Sequence, residues 1–338
     1  MAARVLGVST STVGGRESVF FTARPVAERG MTPEVIDPFR PARNHGDVPT
    51  RPCAPDSGRS AMPYFTSPVD GTRLHYVDYG PADGPVAVFV NGAYLGTGMW
   101  EFQMLPLAEE GHRCVGLDRR GHGRSEDVWG GYDLDTLADD LQGLLDHLDV
   151  REATLGGHSM GGAEIVRCLT RHGTARVARA ALVAGIAPAV ARSDGNPDGA
   201  DPDAMRAANE VFRRDRAAFY ENGAPAFFAL DLPGNEVSAE YVRHAVDLCM
   251  ASTARAANAV NDLVVTVDVA PELPKLDLPV LVVHGTHDTS APLPVTGART
   301  ARLLPDATLK TYENAGHGLF VTHADRLTAD LRAFMAAR

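Results

Sequence analysis

Lysine is nearly absent from this chain. Lys275 and Lys310 are the only two, and arginine supplies the remainder of the 32 Lys and Arg residues. Against them stand 43 Asp and Glu, for a formal net charge of −11. A surface of that sign repels phosphate groups, so neither a broad nucleic-acid interface nor binding to an anionic membrane is expected. Cysteine is scarce too. Cys53, Cys114, Cys168 and Cys249 lie far apart, with no C-x-x-C pair and no Cys/His ligand spacing. Neither H-E-x-x-H nor H-x-H-x-D-H occurs; His284, His287 and Asp288 are close in sequence, but a strand-to-loop turn gives them no reason to converge. No metal and no cofactor are therefore expected. No apolar run approaches the length that spans a bilayer. Ser18-Val19-Phe20-Phe21 is too short to serve as the apolar centre of a signal peptide, which points to the cytoplasm.

What is present divides into three parts. Residues 1–61, rich in Pro, Arg, Gly, Ser and Thr without a sustained period, read as a flexible N-terminal extension. Beyond them, Tyr64-Phe65-Thr66 and Leu74-His75-Tyr76-Val77 flank Asp70-Gly71, a hairpin signal. Apolar strand-like runs follow at residues 86–90, 114–117, 153–155, 180–183, 280–283 and 308–312. Helical patterns separate them, at 100–110, 134–148, 163–172 and 324–335. This alternation implies an α/β fold with a mostly parallel central sheet flanked by helices. Residues 186–270 interrupt it with helical patterns at 204–220, 239–250 and 253–264. Placed just after a strand end, this stretch is expected to be a helical lid, leaving 62–185 and 271–338 as the core.

Gly157-His158-Ser159-Met160-Gly161 joins a strand to a helix and carries the most specific chemical signal. A G-x-S-x-G turn of this kind lifts a serine hydroxyl to its tip. A serine hydroxyl is a weak nucleophile without a positioned base. Asp288 and His317 follow later in the chain, each just after a predicted strand, in the order Ser, acid, His. Ser159 is thus the candidate nucleophile, His317 the base, and Asp288 the group that orients the imidazole. No carboxylate occurs in Ala184-Gly185-Ile186, where a rival acid would be sought. The Met160 N–H and, from the loop Asn91-Gly92-Ala93-Tyr94, the Ala93 N–H are the candidate oxyanion donors. Tyr94 and His158 are assigned to the substrate pocket. Asp118-Arg119-Arg120-Gly121-His122-Gly123-Arg124-Ser125 reads as a turn tethered by its own charged side chains rather than a phosphate loop.

Together with Arg171-His172-Gly173-Thr174-Ala175-Arg176-Val177 and the His317-Gly318 and Thr322-His323 pairs, these motifs resemble the α/β-hydrolase superfamily. More narrowly, they resemble its bacterial cofactor-free haloperoxidase, perhydrolase and esterase branch, from about Tyr64 to the C-terminus. The resemblance implies the α/β-hydrolase fold and places nucleophile, acid and base on Ser159, Asp288 and His317. The oxyanion loop departs from the branch: Asn91-Gly92 stands where His-Gly is common, and Ala93-Tyr94 where haloperoxidase-like members have a bulky aromatic followed by proline. Met160 also replaces a frequent threonine. Because that proline is associated with favouring peroxide over water as acyl acceptor, the departure counts against perhydrolysis and organic-acid-dependent halogenation.

The expectation is a serine hydrolase that cleaves small to medium carboxylic esters through an acyl-enzyme. Its partner would be a small-molecule ester-like substrate, and a homo-oligomer is compatible with the sequence. The alternatives are a perhydrolase making peracid from carboxylate and peroxide, a lactonase or C–C hydrolase using the same triad, and a small-ligand-binding protein on the same fold.

Overall fold

A computed structural model describes residues 7–13, 16–22 and 63–337 of the 338-residue chain. Within the segment read as an extension, β1 (Gly7–Val13) and β2 (Arg16–Thr22) pair antiparallel. Their Thr, Val and Phe residues favour strands, a pattern too short to stand out against the surrounding composition. The rest of that segment lies outside the described residues.

The main sheet has eight strands in the order β10-β9-β8-β7-β5-β6-β4-β3. β3 (Tyr64–Thr66) and β4 (Arg73–Tyr79) form the expected hairpin, with Tyr64 opposite His75. Gly71 takes φ +81° in its turn, and the Asp70 carboxylate accepts from the Thr72 N–H. β4 runs antiparallel to β6 (Arg113–Leu117). From β6 through β5 (Val86–Val90), β7 (Ala153–His158), β8 (Val177–Val183) and β9 (Val280–Gly285) to β10 (Ala307–Tyr312), all pairings are parallel.

Both faces of the sheet are covered, which is why its central strands read as continuous apolar runs. Val88 and Val90 of β5 pack in the core beneath α2 (Leu134–His147) and α3 (Met160–His172). Ala87 and Phe89, pointing the other way, pack beneath α1 (Glu101–Glu109) and the C-terminal helix. The apolar stripe of α2, from Leu134 through Leu145, is buried along its length, and Asp133 caps its N-terminus by accepting from Thr136 N–H.

Four helices occupy the interval between β8 and β9: α4 (Pro202–Arg214), α5 (Arg216–Phe228), α6 (Ala239–Met250) and α7 (Ala254–Thr266). The single helix expected at 204–220 is two helices. Asp215 leaves the helical region (φ −155°, ψ 83°) and caps α5 by accepting from the Ala218 N–H. After β9 come two short helices that the apolar pattern does not reveal, α8 (Gly297–Leu303) and α9 (Leu319–Thr322), and then α10 (Ala324–Ala336). No helix among the described residues is long and apolar enough to cross a membrane.

Candidate active site

β7 ends at His158 and α3 begins at Met160, so Ser159 makes the whole turn with φ +53° and ψ −118°. A non-glycine residue held there costs on the order of 1–3 kcal/mol and persists only where its surroundings enforce it. The Ser159 N–H donates to the Val183 carbonyl, and its own carbonyl accepts from Gly162 and Ile186. The two motif glycines have a steric reason. A Cβ on Gly157 would lie 2.7 Å from the Gly161 backbone, and one on Gly161 would lie 2.6 Å from the Val90 carbonyl oxygen. The start of α3 can therefore press against β5 and β7 only with glycine at both positions.

The three residues named from chain order converge. Ser159 Oγ lies 2.9 Å from His317 Nε2, and His317 Nδ1 lies 2.7 Å from Asp288 Oδ2. Ser159, Asp288 and His317 are all buried. Asp288 Oδ1 accepts from the backbone N–H groups of Ser290 and Ala291, fixing the carboxylate plane. Burial alone would raise the Asp288 pKa. The attraction of His317 and the hydrogen bonds from His284 and His317 outweigh it and hold this carboxyl well below the usual carboxylate range. His284, not singled out as part of this site from sequence, donates through Nε2 to the Ala291 carbonyl at 2.7 Å and approaches Asp288 Oδ2 to 3.3 Å.

His317 sits on a loop braced from α5. The Gly318 N–H donates to the Phe227 carbonyl at 2.7 Å, and the Phe227 ring meets the imidazole edge-to-face at 5.3 Å. A Cβ on Gly316 would come within 2.7 Å of the Phe227 carbonyl oxygen, and one on Gly318 within 2.3 Å of the Phe228 ring. The glycines flanking His317 thus make room for the end of α5. From the other side, His158 Nε2 donates to the His317 carbonyl at 3.0 Å. His158 lines the cavity described below, and its polar contact is with the backbone of His317. Burial first, and repulsion from His317 second, push its pKa down to about 3.

The loop at residues 91–94, the candidate oxyanion loop, is held by its carbonyls. Arg119 donates to the carbonyls of Asn91, Gly92 and Ala93 at 2.9, 3.1 and 3.2 Å, and is itself anchored on Glu164 at 2.9 Å. His122 Nε2 donates to the Ala93 carbonyl at 2.9 Å. In a trans peptide the N–H points away from its partner carbonyl, so tying back the Gly92 oxygen turns the Ala93 N–H away from Arg119. Met160 is the first residue of α3, where an N–H has no intrahelical acceptor. Asn91 Nδ2 donates to the Leu117 carbonyl at 2.7 Å and ties the loop down. Asp118 accepts from His75, Thr97 and Arg124, so residues 118–122 form a buried brace beneath the loop, with Gly123 and Arg124 exposed.

Ser159, His317, Ala93, Tyr94 and His158 line one cavity of about 480 Å³. Its walls include Ile186 and residues of α4 to α7, among them Phe227, Val246 and Val265. No Asp, Glu, Lys or Arg lines it. Tyr94 does not lie loose in this space. Its hydroxyl donates to Asn261 Oδ1 on α7, and its ring packs 5.3 Å from both Phe212 and Tyr220. Burial pushes its phenol pKa up. Among the described residues no three His, Cys, Asp or Glu side chains are grouped to hold a metal ion.

Comparison with known proteins agrees with this architecture. A family model for the alpha/beta hydrolase fold matches residues 85–324. Over 276 residues the chain is 38% identical to a non-heme chloroperoxidase of Kitasatospora aureofaciens, covering 81% of this chain and 99% of that protein. It is 34% identical over 275 residues to a bifunctional esterase/perhydrolase of Acinetobacter calcoaceticus, with 81% and 99% covered. Among solved structures, an esterase from Exiguobacterium antarcticum and a bromoperoxidase from Bacillus anthracis each superpose with a TM-score of 0.77 at 28% identity. Each superposition covers 82% of this chain and 100% of the other. The chain belongs to the α/β-hydrolase family, as an enzyme of the branch that includes bacterial non-heme haloperoxidases and esterases.

Proposed function

We propose that this enzyme hydrolyses uncharged carboxylic esters of small to medium size through an acyl-enzyme on Ser159. The observation that carries the reading is the hydrogen-bonded line from Ser159 Oγ through His317 to Asp288 Oδ2, at 2.9 and 2.7 Å, opening on a cavity without charged side chains. His317 takes the Ser159 proton as Oγ attacks the ester carbonyl, and Asp288 stabilises the resulting imidazolium. The N–H groups of Ala93 and Met160 hold the oxyanion. His317 then protonates the departing alcohol and draws a proton from the water that releases the acid. Helices α4 to α7 act as the lid, excluding bulk water from the acyl-enzyme.

The name of the Acinetobacter relative includes perhydrolase activity. In this chain Ala93-Tyr94 lacks the proline associated with peroxide as acyl acceptor, which counts against perhydrolysis. The test is steady-state hydrolysis of p-nitrophenyl esters from acetate to octanoate, with peracid formation from acetate and hydrogen peroxide measured beside it. Wild type should hydrolyse the series, and Ser159→Ala should lose on the order of 10⁴-fold or more in kcat. Undiminished turnover in Ser159→Ala would refute the mechanism.

A further inference from the structure

Two asparagines, one of them bonded to the Tyr94 hydroxyl, stand where α4 and α7 line the largely apolar cavity. Asn209 on α4 and Asn261 on α7 are 7% and 8% exposed, and both line the cavity with Ser159. Each has half of its amide committed to the fold. Asn209 Nδ2 donates to the Asn261 carbonyl at 3.2 Å and to Asp262 Oδ1 at 3.1 Å; both partners are acceptors, which fixes the orientation of the amide. Asn261 Oδ1 accepts from the Tyr94 hydroxyl.

The other half of each amide is open. Neither Asn209 Oδ1 nor Asn261 Nδ2 has a hydrogen-bond partner among the described residues, and neither is a sealed atom, so in these two largely buried residues each free end stays open to the cavity. A donor or acceptor open to a cavity is satisfied by whatever fills it, and a ligand that displaced water without replacing its hydrogen bonds would leave both unpaired. Met205, Val264 and Val265 around them can offer nothing polar. One free acceptor and one free donor on adjacent helices suit an uncharged group that both donates and accepts. Asp262, facing out toward Arg213, adds no charge to the cavity wall.

The geometry points to a polar subsite at Asn209 and Asn261 that binds a hydroxyl group of the substrate, remote from the scissile bond. The substrate class narrows to hydroxylated esters whose middle portion is apolar. Tyr94 connects this subsite to the oxyanion loop, being adjacent to Ala93 in sequence and bonded to Asn261 through its hydroxyl. The subsite stands one tyrosine side chain away from the proposed reacting carbonyl. Its chemical meaning rests on the ester-hydrolase reading above, but its binding does not.

Equilibrium binding to Ser159→Ala separates the two. The probes are ethyl hexanoate and ethyl octanoate against their ω-hydroxy forms, and octyl acetate against the monoacetate of octanediol. On the acyl or the alcohol side, at least one hydroxylated member should bind about tenfold tighter than its parent, the value of a buried hydrogen-bonded pair. Adding Asn261→Leu or Asn209→Leu should erase that preference, whereas Tyr94→Phe, which keeps both free amide groups, should retain it. Parents that bind as tightly as every hydroxylated partner would overturn the subsite and leave the two amides to ordered water. This comparison on Ser159→Ala decides the question even if a leucine variant does not fold. Hydroxyl preference without turnover by wild type would overturn the ester-hydrolase reading and leave the subsite standing.

Discussion

Replacing Gly92 by alanine adds one methyl group at a point where the candidate oxyanion loop meets the support of His317, the proposed base. Gly92 does not need a left-handed conformation, so the backbone accepts alanine and the effect is purely one of space. The added Cβ would lie 2.6 Å from His158 Nδ1, and contacts become ordinary only near 3.4 Å, so the ring must retreat by about 0.8 Å. Neighbouring rings oppose that retreat on the sides away from the cavity. His158 is 1% exposed, with the rings of His317 at 4.7 Å and Phe320 at 5.0 Å from its own. A retreat of that size breaks or badly stretches its 3.0 Å hydrogen bond to the His317 carbonyl. Overpacking of this kind costs about 1–3 kcal/mol of stability. Displacing the base by a fraction of an ångström to one ångström costs up to about 10²-fold in kcat. Urea unfolding and ester hydrolysis would read the two effects. The decisive arm is the double variant Gly92→Ala/His158→Ala, in which the methyl group no longer meets a ring. Its stability should exceed the additive expectation by about 1 kcal/mol or more. Strict additivity, or a Gly92→Ala enzyme with unaltered kcat and stability, would refute the proposed contact.

Two further perturbations probe the same scaffold. Arg119→Met should remove three carbonyl anchors and leave the buried Glu164 without its partner, costing about 3–5 kcal/mol by urea unfolding. Arg119→Met/Glu164→Leu should recover much of that stability but not kcat, because the loop carbonyls remain untied. The buried His158 makes stability depend on pH: its pKa is about 3 when folded, against an ordinary 6.5. Between those values the unfolded chain binds the proton and the native one does not, so its contribution is complete above pH 6.5 and declines as pH falls toward 3. The slope for one such group approaches about 1.4 kcal/mol per pH unit. His158→Gln should flatten the stability profile between pH 6 and 4 by that amount, and an identical profile would exclude a neutral buried histidine.

Most of the sheet was legible because its strands are covered on both faces, which writes them as unbroken apolar runs. The exceptions are instructive. β7 continues through Gly156 and Gly157, weak strand formers that are tolerated because a Cβ on Gly156 would meet the Phe89 ring at 3.1 Å. The break between α4 and α5 falls at Asp215, which is neither glycine nor proline, in the polar run Arg213-Arg214-Asp215-Arg216. Its signal was Asp215 acting as an N-cap for Ala218, which the helical period of the flanking residues masks.

The site shows the same limit from the other side. Ser159, Asp288 and His317 could be named because each sits in a short motif whose local geometry is demanding, and chain order did the rest. His284, Asn209 and Asn261 carry no such local mark. Asn261 acquires meaning only because Tyr94, 167 residues away in sequence, ends on its amide. Asn209 acquires its meaning because the neighbouring helix presents two acceptors to one side of it and nothing to the other. A motif specifies the chemistry that a backbone turn can enforce by itself. Substrate choice depends on side chains brought together by helix packing, and those pairings are absent from any local stretch of sequence. The conserved logic of a triad and the private character of its pocket are therefore readable to very different depths, and Asn209 and Asn261 fall on the unreadable side of that division.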